Sequence, residues 1–161
     1  MPKLLATDHA FGRPRHELFH DWNPQQLGRM PDPEQSHYWL SEGFTDYYTY
    51  VLLRRSGLST ADEYLAHYNT LLREYHLSPA RDADNDRIVR EFWSDPNVGH
   101  LPYWRGALLA MKWDAEIRAA TAGRASLDDV MRDLFARYRA TPGAQIDARA
   151  GERWYSRSSV L

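Results

Sequence analysis

The sequence predicts a mainly α protein: a helical subdomain of about five helices with no substantial sheet. Three observations carry this reading. Apolar residues recur at three- and four-residue steps in several long segments. Those segments are bounded by Pro, Gly or Ser/Thr positions that suit helix starts and stops. No segment shows the sustained two-residue alternation of a half-buried strand.

Residues 1–13 read as a loose lead-in. Pro14 suits a first helical position, so a helix is expected from Pro14 to about Trp22, with His16 in its first turn. Asn23-Pro24 favours its end. A Pro-containing loop follows. From Ser36 the pattern is helical again, with Trp39, Leu40, Phe44, Tyr47, Tyr48, Val51 and Leu52 on one face and Gly57 as the stop. Ser59 reads as the next N-cap, with Asp62 as its partner or as a charge favoured by the helix dipole. That helix, from Thr60 to about Leu77, presents Tyr64, Leu65, Tyr68, Leu71, Leu72 and Tyr75.

A short helix is expected over Ile88–Trp93, then a loop from Asp95 to Pro102. A long helix runs from about Tyr103 to Thr121 on a stripe of Trp104, Leu108, Met111 and Ala115, with Asp114 and Arg118 spaced as an i,i+4 ion pair. Gly123 ends it. Ser126 caps a last helix that buries Leu127, Val130, Met131, Leu134, Phe135 and Tyr138. Residues 144–161 form a weakly patterned tail, and the chain 1–161 reads as a single helical domain.

Bulk composition excludes several classes. A chain of 161 residues is long enough to bury a core unaided. The net charge of -2, with no long Lys/Arg block, makes no electrostatic case for nucleic acid. There is no Cys, so any metal site must use His and carboxylate. No apolar run is long enough to span a membrane, and Met1–Ala10 lacks the apolar core of a signal peptide. The expectation is a soluble protein of undefined compartment.

The chemistry concentrates in His16-Glu17-Leu18-Phe19-His20, an H-E-x-x-H pattern. Residues four apart share a helix face, so both imidazoles can point at one ion with Glu17 beside them. Zn²⁺ takes imidazole nitrogen and carboxylate oxygen in tetrahedral geometry, and a catalytic site leaves the fourth position to water. The pattern therefore asks for a third ligand downstream and leaves Glu17 as the group that takes a proton from the metal-bound water. With seven His in 161 residues, chance alone gives this pentapeptide roughly once or twice in a hundred such chains, so it needs support. Glu42 supplies it, from a second helix that can fold back on the first. Asp46, one turn on, reads equally as an acceptor for a ligand imidazole's free N–H and as a surface charge. His37, near Glu42, and His100, near Tyr103, could line a cleft but read first as ordinary polar or loop residues, as does His9; His67 and His76 are assigned no role.

Two segments carry a family likeness: His16–Asn23 (H-E-L-F-H-D-W-N) and Trp39–Tyr48 (W-L-S-E-G-F-T-D-Y-Y). They resemble the glycyl aminopeptidase family of gluzincin metallopeptidases. Tyr103–Leu109 (Y-W-R-G-A-L-L) resembles that clan's Y-x-K-G element with Arg for Lys, and Asp114–Arg118 and Ser126–Met131 fit the family's helical C-terminal part. The resemblance implies zinc held by His16, His20 and Glu42, Glu17 as general base, and Tyr103 as hydrogen-bond donor to the oxyanion. It implies peptide or protein substrates with small N-terminal residues. Trp22 and Asn23 read as packing and helix-end capping. Family members carry a β-containing region before the H-E-x-x-H helix, whereas 15 residues precede His16 here. Such a β-rich region, or a second copy over the exposed face, is thus an expected partner. The competing readings are a zinc-binding helical module without catalysis and a metal-free bundle.

Overall fold

The computed structural model describes residues 15–146. The expected lead-in, Pro14 and most of the expected tail lie outside them. Within them the protein is helical, and no strand forms. Helix α1 covers residues 15–20 of the described chain and passes into turns over 21–27. A 3-10 turn, Glu34–His37, leads into a π-helical segment, Trp39–Gly43, and then into α2, Phe44–Arg55. Helices α3 (Ala61–Leu77), α4 (Asn85–Glu91), the single turn α5 (Pro96–Gly99), α6 (Leu101–Ala120) and α7 (Leu127–Ala140) complete the order. No helix among the described residues is long and apolar enough to cross a membrane.

The stretch read from sequence as one helix from Ser36 to Gly57 is therefore three kinds of helix in succession. The apolar period does not resolve a change of pitch over five residues. Gly57 does end α2, at φ +73°. The cap of α3 is Thr60 rather than Ser59: its hydroxyl accepts from the Glu63 N–H at 3.2 Å, and the Glu63 carboxylate accepts from the Thr60 N–H at 2.8 Å. Ser126 caps α7 through the same reciprocal bonding with Asp129. Helix α4 starts at Asn85 because Asp84 accepts from the Arg87 N–H at 2.7 Å, three residues before the expected Ile88. Helix α6 starts at Leu101, with Pro102 in its first turn where no donor is needed. The tail begins ordered. Ile146 N–H donates to the Arg29 carbonyl at 2.8 Å, and Ile146 is buried.

One core joins Leu40, Phe44, Tyr47, Tyr48 and Val51 with Ala107, Ala110, Trp113 and Ile117 of α6 and the Leu127–Leu134 face of α7. A smaller cluster of Ala80, Ala83, Ile88, Val98 and Leu101 holds α4 and α5 against the start of α6. The buried face of α6 is not the stripe of large residues read from sequence. Ala115 is exposed and Trp104, Leu108 and Met111 are half-buried, while Gly106, Ala107 and Ala110 are buried. Leu65 and Leu52, expected inside, are exposed.

Small residues win on α6 because the π segment lies directly on it. A Cβ placed on Gly106 would stand 2.0 Å from the Trp39 carbonyl oxygen, and one on Gly43 would stand 2.3 Å from the Gly106 Cα. Backbone meets backbone, and nothing larger than glycine fits either position. This contact sets how closely Glu42 approaches Tyr103. Gly106→Ala should therefore lower stability by about 3 kcal/mol or more, at or above the usual range for overpacking. Gly57→Ala, which meets open space and only a left-handed φ, should cost about 1–2 kcal/mol. Urea unfolding of the two variants checks the order.

Candidate metal centre

Helix α1 lies on the π segment and the start of α2. Phe19 stacks on Tyr48 with ring centroids 5.2 Å apart, and Trp22 meets Phe135 of α7 at 6.2 Å. Those anchors turn the other face of α1 toward Glu42 and Asp46. The i,i+4 spacing then does what helix geometry requires: the His16 and His20 rings stand edge to face, centroids 4.6 Å apart.

Three ligand atoms converge. His16 Nε2 and His20 Nε2 are 3.0 Å apart, and Glu42 Oε2 is 3.3 Å from each. Among the described residues this is the group of side chains able to hold a metal ion. The outer ring nitrogens determine its chemistry. His16 Nδ1 donates to Asp46 Oδ1 at 2.7 Å, and His20 Nδ1 donates to the Asn23 carbonyl at 2.8 Å. A carbonyl can only accept, so His20 carries its proton on Nδ1, and Asp46 selects the same tautomer for His16. Each neutral ring thus turns an Nε2 lone pair inward, toward a carboxylate oxygen. Three acceptors at these distances repel unless positive charge sits among them.

Protons supply that charge when no metal does. Burial opposes charge on His16, but hydrogen bonds to Asp46 and Glu42 and their negative charges outweigh it and push the ring up to about 9. The hydrogen bond to Glu42 likewise raises His20 against burial. Burial also opposes charge on Glu42, yet the two imidazoles hold it down at about 2. A divalent ion fits the same place. Tetrahedral donors about 2.0–2.1 Å from a common centre lie about 3.3 Å from one another, close to the separations seen here.

Sequence reasoning underrated Asn23. It is fully buried, and its side-chain amide reaches the Leu40 carbonyl at 3.0 Å, the Ser41 carbonyl at 3.4 Å and the Thr45 hydroxyl at 3.2 Å. Its own carbonyl orients His20. One residue thus ties the end of α1 to the π segment that carries Glu42. Its only signal in the sequence was its place three residues after His20, which reads as an ordinary helix end. π-Helical turns recur at functional sites because the extra residue re-aims side chains. Here the π segment and the first turn of α2 present both Glu42 and Asp46 to His16.

Glu17 is exposed and stands outside the three-ligand cluster. Tyr103, near the start of α6, faces the cluster with its ring centroid 6.1 Å from that of His16. Burial and the nearby Glu42 carboxylate raise its phenol well above the usual value, so it stays a hydrogen-bond donor. Arg105, in the place of the motif's Lys, donates to the Arg81 carbonyl.

Two imidazoles from an H-E-x-x-H helix and a carboxylate from the following helical stretch form a group that could hold a metal ion. Residues 11–87, the stretch that holds all three ligand candidates, match the family model of the M61 glycyl aminopeptidases. The match ends before α6, so Tyr103 rests on its position beside the cluster. No curated protein matches the chain.

Two outcomes follow. Asp46→Ala should weaken metal binding about 10–100-fold, the usual cost of losing a ligand's outer partner, as measured by competition with a chromophoric chelator. Metal uptake near pH 7 should also release protons, because His16 is protonated below about 9 in the metal-free protein. Affinity should rise as pH climbs from 7 toward 9, and calorimetry in buffers of different ionisation enthalpy reads the proton count.

Proposed function

We propose that this chain is the helical part of a zinc-dependent peptidase, with the ion held by His16, His20 and Glu42. The observation that carries the reading is the convergence of those three acceptors, each ring locked by an outside hydrogen bond into the tautomer that a metal requires. Bound zinc would polarise the scissile carbonyl and lower the pKa of water toward about 7. Zinc in preference to other divalent ions belongs to the proposal. Two His and a carboxylate also suit iron, but the H-E-x-x-H helix favours zinc.

The chain's own residues divide the remaining work. Glu17 neighbours His16 yet is free of the ligand cluster and open to solvent. A free carboxylate there can take a proton from the attacking water and pass it to the leaving amine. Tyr103 holds a protonated phenol beside the cluster and donates to the oxygen that gains negative charge. Asp46 and the Asn23 carbonyl hold the imidazoles in place. The family match supports peptide substrates, and the preference for small N-terminal residues follows the family description.

Glu17→Gln should lower peptide hydrolysis by about 10²–10⁴-fold while stoichiometric zinc remains bound. Tyr103→Phe should lower kcat by about 10²–10³-fold with KM little changed. Both are read on a peptide library by mass spectrometry, with zinc content from elemental analysis. Wild-type protein that binds zinc stoichiometrically and cleaves nothing in the library would instead establish a non-catalytic zinc-binding module.

A further inference from the structure

Thr45 lies in the first turn of α2, just after the π segment, and is fully buried. Its hydroxyl meets none of the three ligand side chains, yet it joins the two parts of the chain that carry them. The hydroxyl donates to the Ser41 carbonyl at 2.5 Å and accepts from the Asn23 side-chain amide at 3.2 Å. A hydroxyl has one donor and two acceptor lone pairs, so both bonds are made at once. The Asn23 amide has two N–H donors, and its two shortest contacts, the Leu40 carbonyl at 3.0 Å and the Thr45 hydroxyl, take them.

The partners of that hydroxyl lead to the metal centre from both sides. Ser41, whose carbonyl takes its proton, is the residue before Glu42. Asn23, whose amide donates to it, accepts the His20 Nδ1–H on its own carbonyl at 2.8 Å. Asp46, which accepts from His16, is the residue after Thr45. A helical threonine that bonds back to the carbonyl four residues before it perturbs and often bends its helix. Here that back-bond spans the change of pitch from the π segment to α2. Asn23, Ser41 and Thr45 are all buried, so bulk water does not compete for these bonds, and the surrounding apolar core strengthens each of them.

We propose that Thr45 is a positioning residue of the metal centre: its hydroxyl ties Asn23, the orienter of His20, to the turn that carries Glu42. The inference rests on the metal-centre reading. Loss of the hydroxyl keeps every ligand and both of their outside partners, Asp46 and Asn23. It removes one of the two bonds by which the Asn23 amide is held to the chain around Glu42, so His20 and Glu42 lose their fixed relative placement.

The test compares Thr45→Val, which keeps the branched shape without the hydroxyl, with Thr45→Ser, which keeps the hydroxyl without the methyl. Zinc affinity is read by competition with a chromophoric chelator, and urea unfolding of the metal-free variants establishes that each is folded in the assay buffer. Thr45→Val should bind zinc about tenfold more weakly than wild type, the lower end of the cost of losing a ligand's outside support, and Thr45→Ser should stay within about threefold. The visible bands of bound cobalt(II), which report coordination geometry, should change in Thr45→Val and be retained in Thr45→Ser. A role in folding alone would leave the bands of the bound metal as they are. Should Thr45→Val fail to fold, Thr45→Ala against Thr45→Ser gives the same comparison, since those two differ by the hydroxyl alone. A folded variant without the hydroxyl that keeps wild-type zinc affinity and wild-type cobalt bands overturns the proposal and leaves the metal centre standing. Thr45→Ser that loses as much affinity as Thr45→Val overturns it as well. Wild-type protein that binds neither zinc nor cobalt overturns the metal centre itself, and the role of Thr45 falls with it.

Discussion

The hydrogen bonds made by the outer edges of two imidazole rings decide what their inner edges can do. Asp46 and the Asn23 carbonyl each take an Nδ1–H, leaving two Nε2 lone pairs facing Glu42 across about 3 Å. Much of the visible architecture serves this arrangement. Phe19 on Tyr48 fixes the roll of α1. Asn23 stitches the end of α1 to the π segment, and that segment with the first turn of α2 presents Glu42 and Asp46. The glycine contact between Gly43 and Gly106 lets α6 approach until Tyr103 faces the same point. Loosening any of these leaves the donors present but misdirected, and a site needs placement within a fraction of an ångström.

The electrostatic consequence is a centre that is never neutral in effect. Without an ion, the cluster recruits protons, seen as the raised His16 and His20 and the lowered Glu42. With an ion, those protons leave. The same acceptors therefore serve either occupant, and pH sets the competition between them.

The helical class was legible in the apolar periodicity, and the cluster of His16, His20 and Glu42 in the H-E-x-x-H spacing together with the family likeness of the segment around Glu42. His16 and His20 are four apart, and the apolar steps around Glu42 mark a helix. Helix ends marked by Gly57 and Ser126 were legible for the same local reason. What escaped was set by tertiary approach. Gly106, Ala107 and Ala110 look unremarkable in a scan for large apolar residues, yet they form the closest contact of α6. Asn23 looks like a helix end until its amide is seen spanning to Leu40 and Thr45. The π turn leaves no distinctive composition. Thr60 displaced Ser59 as a cap because Glu63, not Asp62, sits at the third helical position and reaches back.

X-ray absorption on the zinc-loaded chain tests the central claim most directly. The account predicts one zinc per chain, with two imidazole nitrogens at about 2.0–2.1 Å and oxygen ligands completing the shell. One imidazole signal should disappear in His20→Ala, and the protein carboxylate in Glu42→Ala. Zinc held in unchanged coordination after either substitution, or no stoichiometric zinc at all, would contradict it.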